Sequence, residues 1–300
     1  MIYTVTLNPA IDYVMRLGSL RPGETNRAPA AEVQFGGKGI NVSCVLSELG
    51  VENTALGFVG GFTGDALTAY LKAREIHTDL IPLPEGLTRI NVKIKEGDGA
   101  PRETEINAAG PAIPDTALEA LLSKLDGLTE GDTLVLAGSV PPSLPRDLYS
   151  RIMARLAGRG IRFVVDAEGP VLEAVLPHRP FLIKPNLAEL EGLAGHPLPS
   201  EDSRRAAARA LQAAGAQNVL VSLGGDGALL LDEHGGFHRA PAASVIPVNT
   251  VGAGDSMVAG FLAGLPNGYA YALKLGIAAG GATAASEGLA TRGMVEGLMG

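Results

Sequence analysis

The chain has 300 residues, 46% of them apolar, enough to bury a core in one large α/β domain or two smaller ones. A net charge of −8 without a basic run argues against a nucleic-acid surface. The apolar segment from Ala270 to Ala285 is interrupted by Lys274 and several glycines, which argues against a membrane span.

Taken in chain order, Ile2–Leu7 reads as a strand with no charged leader before it. The lone cysteine, Cys44, excludes an internal disulfide and fits a reducing compartment, so a cytoplasmic location is expected. The segment from Asp12 to about Phe35 is β-leaning and broken by Pro22, Gly23 and Pro29. A glycine turn at Gly36-Gly37-Lys38-Gly39 opens a helix over about Ile40–Leu49, in which Cys44 reads as a core thiol. Strand Thr54–Val59 and helix Asp65–Ala73 follow. Leu87–Lys95 and Arg102–Asn107 then read as a hairpin around residues 97–101. With residues near 12–16 and 31–35, this hairpin is expected to form a small sheet apart from the main one. Helices at Asp115–Leu125, Arg146–Ala157 and Glu201–Ala214 alternate with strands at Thr133–Ala137, Arg162–Asp166, Phe181–Ile183 and Asn218–Ser222. Gly227–Asp232 and Gly236–Ala240 read as closing strands, before two helices after Gly252 and Tyr269. The alternation predicts an α/β fold with a doubly wound, mostly parallel sheet, whose ligands gather at the carboxyl ends of the strands.

The turns at those ends carry the candidate chemistry. Asn249-Thr250-Val251-Gly252-Ala253-Gly254-Asp255 leads into an apolar helix, so backbone amides at Gly252, Ala253 and Gly254 suit an anion. Asp255 beside them is either a helix cap or a base that takes a proton from an attacking group. Gly37, Lys38 and Asn41 could grip a polar or phosphorylated ligand, or form a tight turn with an exposed lysine. The turn has neither the upstream glycine nor the Ser/Thr of a P-loop, and no G-x-G-x-x-G follows the first strand. Asp12 could accept sugar hydroxyls or simply shape a turn. Lys184, Asn186 and Glu189 sit at a helix start, where Asn186 and Glu189 offer either hard oxygen ligands or a capping box. Ser222, Gly224, Gly225 and Gly227 form a turn suited to a nucleotide's phosphates or ribose, or a plain β-turn. Arg89 and Lys93 share one face of their strand. The five histidines show no metal-ligand spacing and read as surface residues.

Together, Gly36-Gly37-Lys38-Gly39-Ile40-Asn41, Lys184-Pro185-Asn186-Leu187-Ala188-Glu189 and Asn249–Asp255 resemble the ribokinase/PfkB family of carbohydrate kinases across the whole chain. Thr6–Asp12, Arg89-Ile90-Asn91-Val92-Lys93 and Thr104-Glu105-Ile106-Asn107 resemble most the bacterial members that phosphorylate fructose 1-phosphate at C6. Members acting on tagatose 6-phosphate come next, and those acting on fructose 6-phosphate are more distant. A departure lies at Asn107-Ala108-Ala109-Gly110, where an acidic or proline-bearing variant is expected. The resemblance implies a ribokinase-like domain over residues 1–300, with a β lid built from about 12–16, 31–35 and 87–107. It implies ATP and Mg²⁺ as cofactors and a homodimer through the lid. Asp255 would be the base and Gly252, Ala253 and Gly254 the anion hole. Asp12, Gly37, Lys38, Asn41 and Arg89 would hold the sugar phosphate. Lys184, Asn186, Ser222, Gly224, Gly225, Gly227 and Gly254 would line the nucleotide, with Mg²⁺ held through water near Asn186 and Glu189. A sugar-phosphate-binding regulatory protein on the same fold is the non-enzymatic alternative.

Overall fold

The computed structural model describes residues 1–97 and 102–300. In chain order the elements are β1 (Ile2–Thr6), β2 (Ala10–Leu17), β3 (Ala30–Gly36), α1 (Lys38–Glu48), β4 (Asn53–Gly60), α2 (Gly61–Ala73), β5 (His77–Leu83), β6 (Arg89–Glu96) and β7 (Arg102–Ile106). Next come α3 (Asp115–Leu125), β8 (Thr133–Ala137), α4 (Leu148–Arg155), β9 (Arg162–Asp166), α5 (Gly169–Val175), β10 (Leu182–Ile183), α6 (Leu187–Ala194) and α7 (Glu201–Ala213). The chain closes with β11 (Asn218–Ser222), β12 (Ala228–Leu231), β13 (Phe237–Ala240), α8 (Ala253–Gly264), α9 (Tyr269–Ala284) and α10 (Arg292–Met299).

Nine strands form the main sheet in the order β13-β12-β11-β10-β9-β8-β1-β4-β5. From β5 to β11 every pairing is parallel, and β12 and β13 close the sheet antiparallel. Runs such as Leu134-Val135-Leu136 are buried on both faces because helices cover both sides. Side chains of α3 to α7 pack on one face, and those of α1, α8, α9 and α10 on the other. Helices α8 and α9 are apolar on nearly every side. Glycine lets them touch: a Cβ at Gly260 would meet the Leu275 carbonyl at 2.6 Å.

The second sheet has the order β3-β2-β6-β7. Its two hairpin halves leave the carboxyl ends of β1 and β5, so the small sheet stands over the edge where parallel strands end. Register gives it two different faces. Tyr13 lies opposite Val33 and Val92, and Val92 opposite Ile106, which makes one apolar face. Asp12 lies opposite Gln34 and Asn91, and Lys93 opposite Glu105, which makes the other polar.

Most expected elements are present, with differences at their edges. The lid strands are longer than residues 12–16 and 31–35, and α2 begins four residues earlier than Asp65. Strand β5 and helices α5 and α10 were not anticipated. The predicted turn around residues 97–101 falls largely on 98–101, outside the described residues, although β6 and β7 pair antiparallel as expected. Cys44 is buried in the core. Of the histidines, His238 is half-buried against Asp232 at 2.7 Å, and no cluster fit for a metal ion occurs among the described residues. No helix among them is long and apolar enough to cross a membrane.

Candidate active site

Strands β9, β10 and β11 of the main sheet end, and α1 and α8 start, on one cleft of about 430 Å³ beneath the lid. It is lined by Asp12, Gly37, Lys38, Asn41, Arg89, Lys184, Asn186, Glu189, Ser222, Gly252, Gly254 and Asp255, residues spread over nearly the whole sequence. A second cavity of about 370 Å³ adjoins it and shares Gly37, Lys38 and Arg89.

Helix α8 starts from Gly252, whose left-handed backbone (φ 80°) would strain any other residue. No side chain caps this helix. Asp255 therefore does not act as a cap; its Oδ2 accepts a 2.8 Å hydrogen bond from Asn41 Nδ2 instead. The amides of Gly252 and Gly254 make no hydrogen bond among the described residues, while that of Ala253 donates to Thr250 O at 3.2 Å. A Cβ on Gly254 would come within 3.2 Å of Lys184 Nζ, so the glycine keeps this helix start open beside a cation. The combination of free amides, helix dipole and Lys184 fits a phosphate group.

Electrostatics centre on a buried acid outside the sequence-derived set. Asp166, at the carboxyl end of β9, is 1% exposed. It lies 3.2 Å from Lys38 Nζ and 3.6 Å from Lys184 Nζ, and its Oδ2 has no hydrogen-bond partner among the described residues. Burial pushes the Asp255 carboxyl up to about 7, and the negative charge of Asp166 adds to the rise. The Asn41 hydrogen bond, Lys38 and Lys184 pull the other way. Burial opposes the charge on Lys38, yet Asp166 and Asp255 hold it above the usual lysine range. Burial lowers Arg89, whose Nη1 donates to Ala108 O.

The lid supplies the rest of the cleft. Asp12 Oδ1 accepts from Asn91 Nδ2 at 2.8 Å, and Asp12 Oδ2 pairs with Lys93 at 3.0 Å. Lys93 also reaches Glu105 at 3.6 Å, which leaves Lys38 and Arg89 as the cations facing the cleft from this side. Asn91 further accepts from the amide of Ala108, and Asn8 donates to Ala109 O, so the departing segment 107–110 is fixed through its backbone.

Two other motifs have structural roles. Asn186 and Glu189 form the full capping box, each side chain bonded to the other's amide. Ser222 bridges to Asn186, which joins the two turns at the cleft. Gly224 and Gly225 face open space, whereas a Cβ on Gly227 would meet the Ala240 carbonyl at 2.2 Å, a close approach within the sheet. Gly224, Gly225, Gly227 and Ala253 are not among the cleft's lining residues. Asp166 could have been found from the sequence: a charged residue ends the apolar run Phe163-Val164-Val165 where ligands are expected.

A family model described as "pfkB family carbohydrate kinase" matches residues 5–294. The chain belongs to this family. As a pfkB kinase it is a phosphotransferase with an alcohol acceptor. It is 43% identical to the 1-phosphofructokinase of Bacillus subtilis over 302 aligned positions, covering 100% of this chain and 97% of the relative. It is 38% identical to the D-tagatose-1-phosphate kinase of Bacillus licheniformis, covering 96% and 94%. Among solved structures, phosphofructokinase-2 of Escherichia coli in complex with fructose-6-phosphate superposes with a TM-score of 0.90 at 28% identity, covering 99% and 97%.

A base must be ionised before it can take a proton. If Asp255 is that base, kcat/KM, which reports the free enzyme, should be lost as pH falls through about 7. Asp166→Asn removes a charge that raises Asp255, so the acidic limb of its pH profile should move to lower pH. A limb that stays in place would dissociate Asp166 from Asp255.

Proposed function

We propose that this kinase transfers the γ-phosphoryl group of ATP to the C6 hydroxyl of fructose 1-phosphate, giving fructose 1,6-bisphosphate. The observation that carries the reading is the arrangement of one cleft: Asp255, with its carboxyl near 7, shares it with the open start of α8 and with Lys38 and Arg89. Asp255 accepts the hydroxyl proton as that oxygen attacks, and Asn41 fixes the carboxylate's orientation. The amides of Gly252 and Gly254, with Ala253 in the same turn, stabilise charge on the group in transfer. Lys184 lies beside them for the nucleotide phosphates. Ser222, Gly224, Gly225 and Gly227 form the turn that borders the nucleotide.

Lys38 and Arg89 hold the resident phosphate in the adjoining cavity, while Gly37, Asn41 and Asp12 orient the ketose. Asn91 and Lys93 hold Asp12 in place. When bound, Mg²⁺ would be held through water near Asn186 and Glu189 and would supply charge neutralisation for the group in transfer. One oxygen of Glu189 is used by the capping box, and the other is available for such a water.

We read the chain as one kinase domain with its lid, located in the cytoplasm; the lone buried thiol supports a reducing compartment. The lid's outer face, with Tyr13, Val33, Ile90 and Ile106 exposed, is the contact of a homodimer. D-tagatose 1-phosphate is the second reading, favoured by the 38% identical relative, and it replaces tagatose 6-phosphate as the main epimer to test.

Three measurements check these assignments. ADP release should be fastest with fructose 1-phosphate when compared with D-tagatose 1-phosphate, tagatose 6-phosphate, fructose 6-phosphate and fructose; preference for unphosphorylated fructose would sink the reading. Asp255→Asn should keep nucleotide affinity while lowering turnover by about two to four orders of magnitude. Sedimentation should show a dimer of the 30.8 kDa chain that Val33→Glu converts to monomer. A wild-type monomer would exclude the lid contact.

A further inference from the structure

The lid touches the main body at the loop after α9, and this contact runs on to the start of α8. Gln34, on the polar face of β3, donates through Nε2 to the backbone carbonyl of Glu287 at 3.1 Å. Asn249 donates through Nδ2 to that same carbonyl at 3.2 Å. A carbonyl oxygen has two lone pairs and can accept both. Asn249 in turn accepts, through Oδ1, the amide of Val251, the residue before Gly252. One atom thus joins a lid strand to the turn that presents the anion-binding amides.

Two further contacts tighten this link. Arg16 on β2 pairs with both Glu32 and the Glu287 carboxylate. Exposed ion pairs contribute little, so Arg16 is the lesser member. Two residues beyond Glu287, the Leu289 side chain packs directly on Gly252, within 2.9 Å of where a Cβ would stand. Asn249 is only 7% exposed, and a shift of the Glu287 carbonyl would leave its buried amide unmatched. The loop therefore cannot move with the lid without disturbing the turn at Asn249–Gly252.

We propose that Gln34, with Arg16, is a positioning residue that lets the closed lid set the anion-binding turn of α8, the Glu287 carbonyl acting as the shared acceptor. Gln34 is not among the residues lining the reaction cleft, although it lies opposite Asp12 on the neighbouring strand. It acts on phosphoryl transfer through Asn249. The inference rests on the phosphoryl-transfer reading of Gly252–Asp255.

Spatial continuity alone does not establish coupling, so the test is a double-mutant cycle. Variants Gln34→Leu, Asn249→Ala and the pair are assayed with whichever ketose phosphate the wild type accepts. Failure of the substrate reading then shows in the wild type, and failure of the latch in the variants. Gln34→Leu should lower kcat about tenfold, with KM for the sugar phosphate within about twofold and the melting temperature unchanged. In the Asn249→Ala background the same change should cost less than about twofold. A wild-type kcat in Gln34→Leu, a loss carried entirely by KM, or full additivity would each overturn the proposal. Hydrogen exchange supplies a second readout should Asn249→Ala fold poorly. Sugar phosphate alone should slow exchange at residues 249–254 in the wild type and not in Gln34→Leu; equal protection in both would reject the latch.

Discussion

A carboxylate that is almost wholly enclosed either gives up its charge or is surrounded by groups that favour it, and Asp255 is held between these outcomes. Asn41 and Lys38 reach it from the first turn of α1 and Lys184 from the end of β10, while Asp166 opposes them from the end of β9. Together these groups report where α1 begins and where β9 and β10 end. The sheet's register therefore does more than bury apolar side chains, because a slip of one residue in β9 or β10 would reverse which side chain faces the cleft. The close contacts around this centre follow from the same demand. A Cβ on Gly39 would strike Thr6 at 2.5 Å, and one on Gly37 would meet the same side chain at 2.6 Å.

The small sheet meets a different constraint with the same alternation. Strand geometry sends successive side chains to opposite faces. On β2 this places Asp12 over the cleft and Tyr13 away from it, so one eight-residue strand supplies both substrate-facing polarity and an apolar exterior. Lys93 is almost fully buried on the inner face and is tolerated there because Asp12 and Glu105 flank it from neighbouring strands.

Central strands and long helices were legible because their signals are local. Thr133–Ala137 and Asn218–Ser222 are apolar runs bounded by turn residues, and their observed limits match. The missed elements have weak or contrary local signals. Strand β5 contains Pro82 and alternates exposed positions, which an edge strand permits and a pattern reading penalises. Helix α5 is only seven residues long and begins Gly-Pro, and α10 contains two interior glycines. Within the site, residue types at Lys38, Asn41 and Asp255 were readable, but the bond joining Asn41 to Asp255 spans 214 residues. Asp166 can be placed at a ligand-facing strand end from the sequence, but only the fold shows two lysines converging on it. For Asn186 and Glu189, local spacing fits a capping box as well as a ligand pair; the box is present, and local spacing alone could go no further.

The lid's central pairing, between β2 and β6, unites segments about 79 residues apart, with β4, α2 and β5 between them. Loop closure over that distance costs less once the intervening strands have docked, which favours late formation of the lid. Neither half is self-sufficient, since β2–β3 or β6–β7 alone is a two-stranded ribbon with an uncovered apolar side. The lid therefore has no existence as a separable module. A chain that stalls before β6 would expose β2's unpaired edge, a template for pairing with other chains, and only completion of the fold removes that hazard.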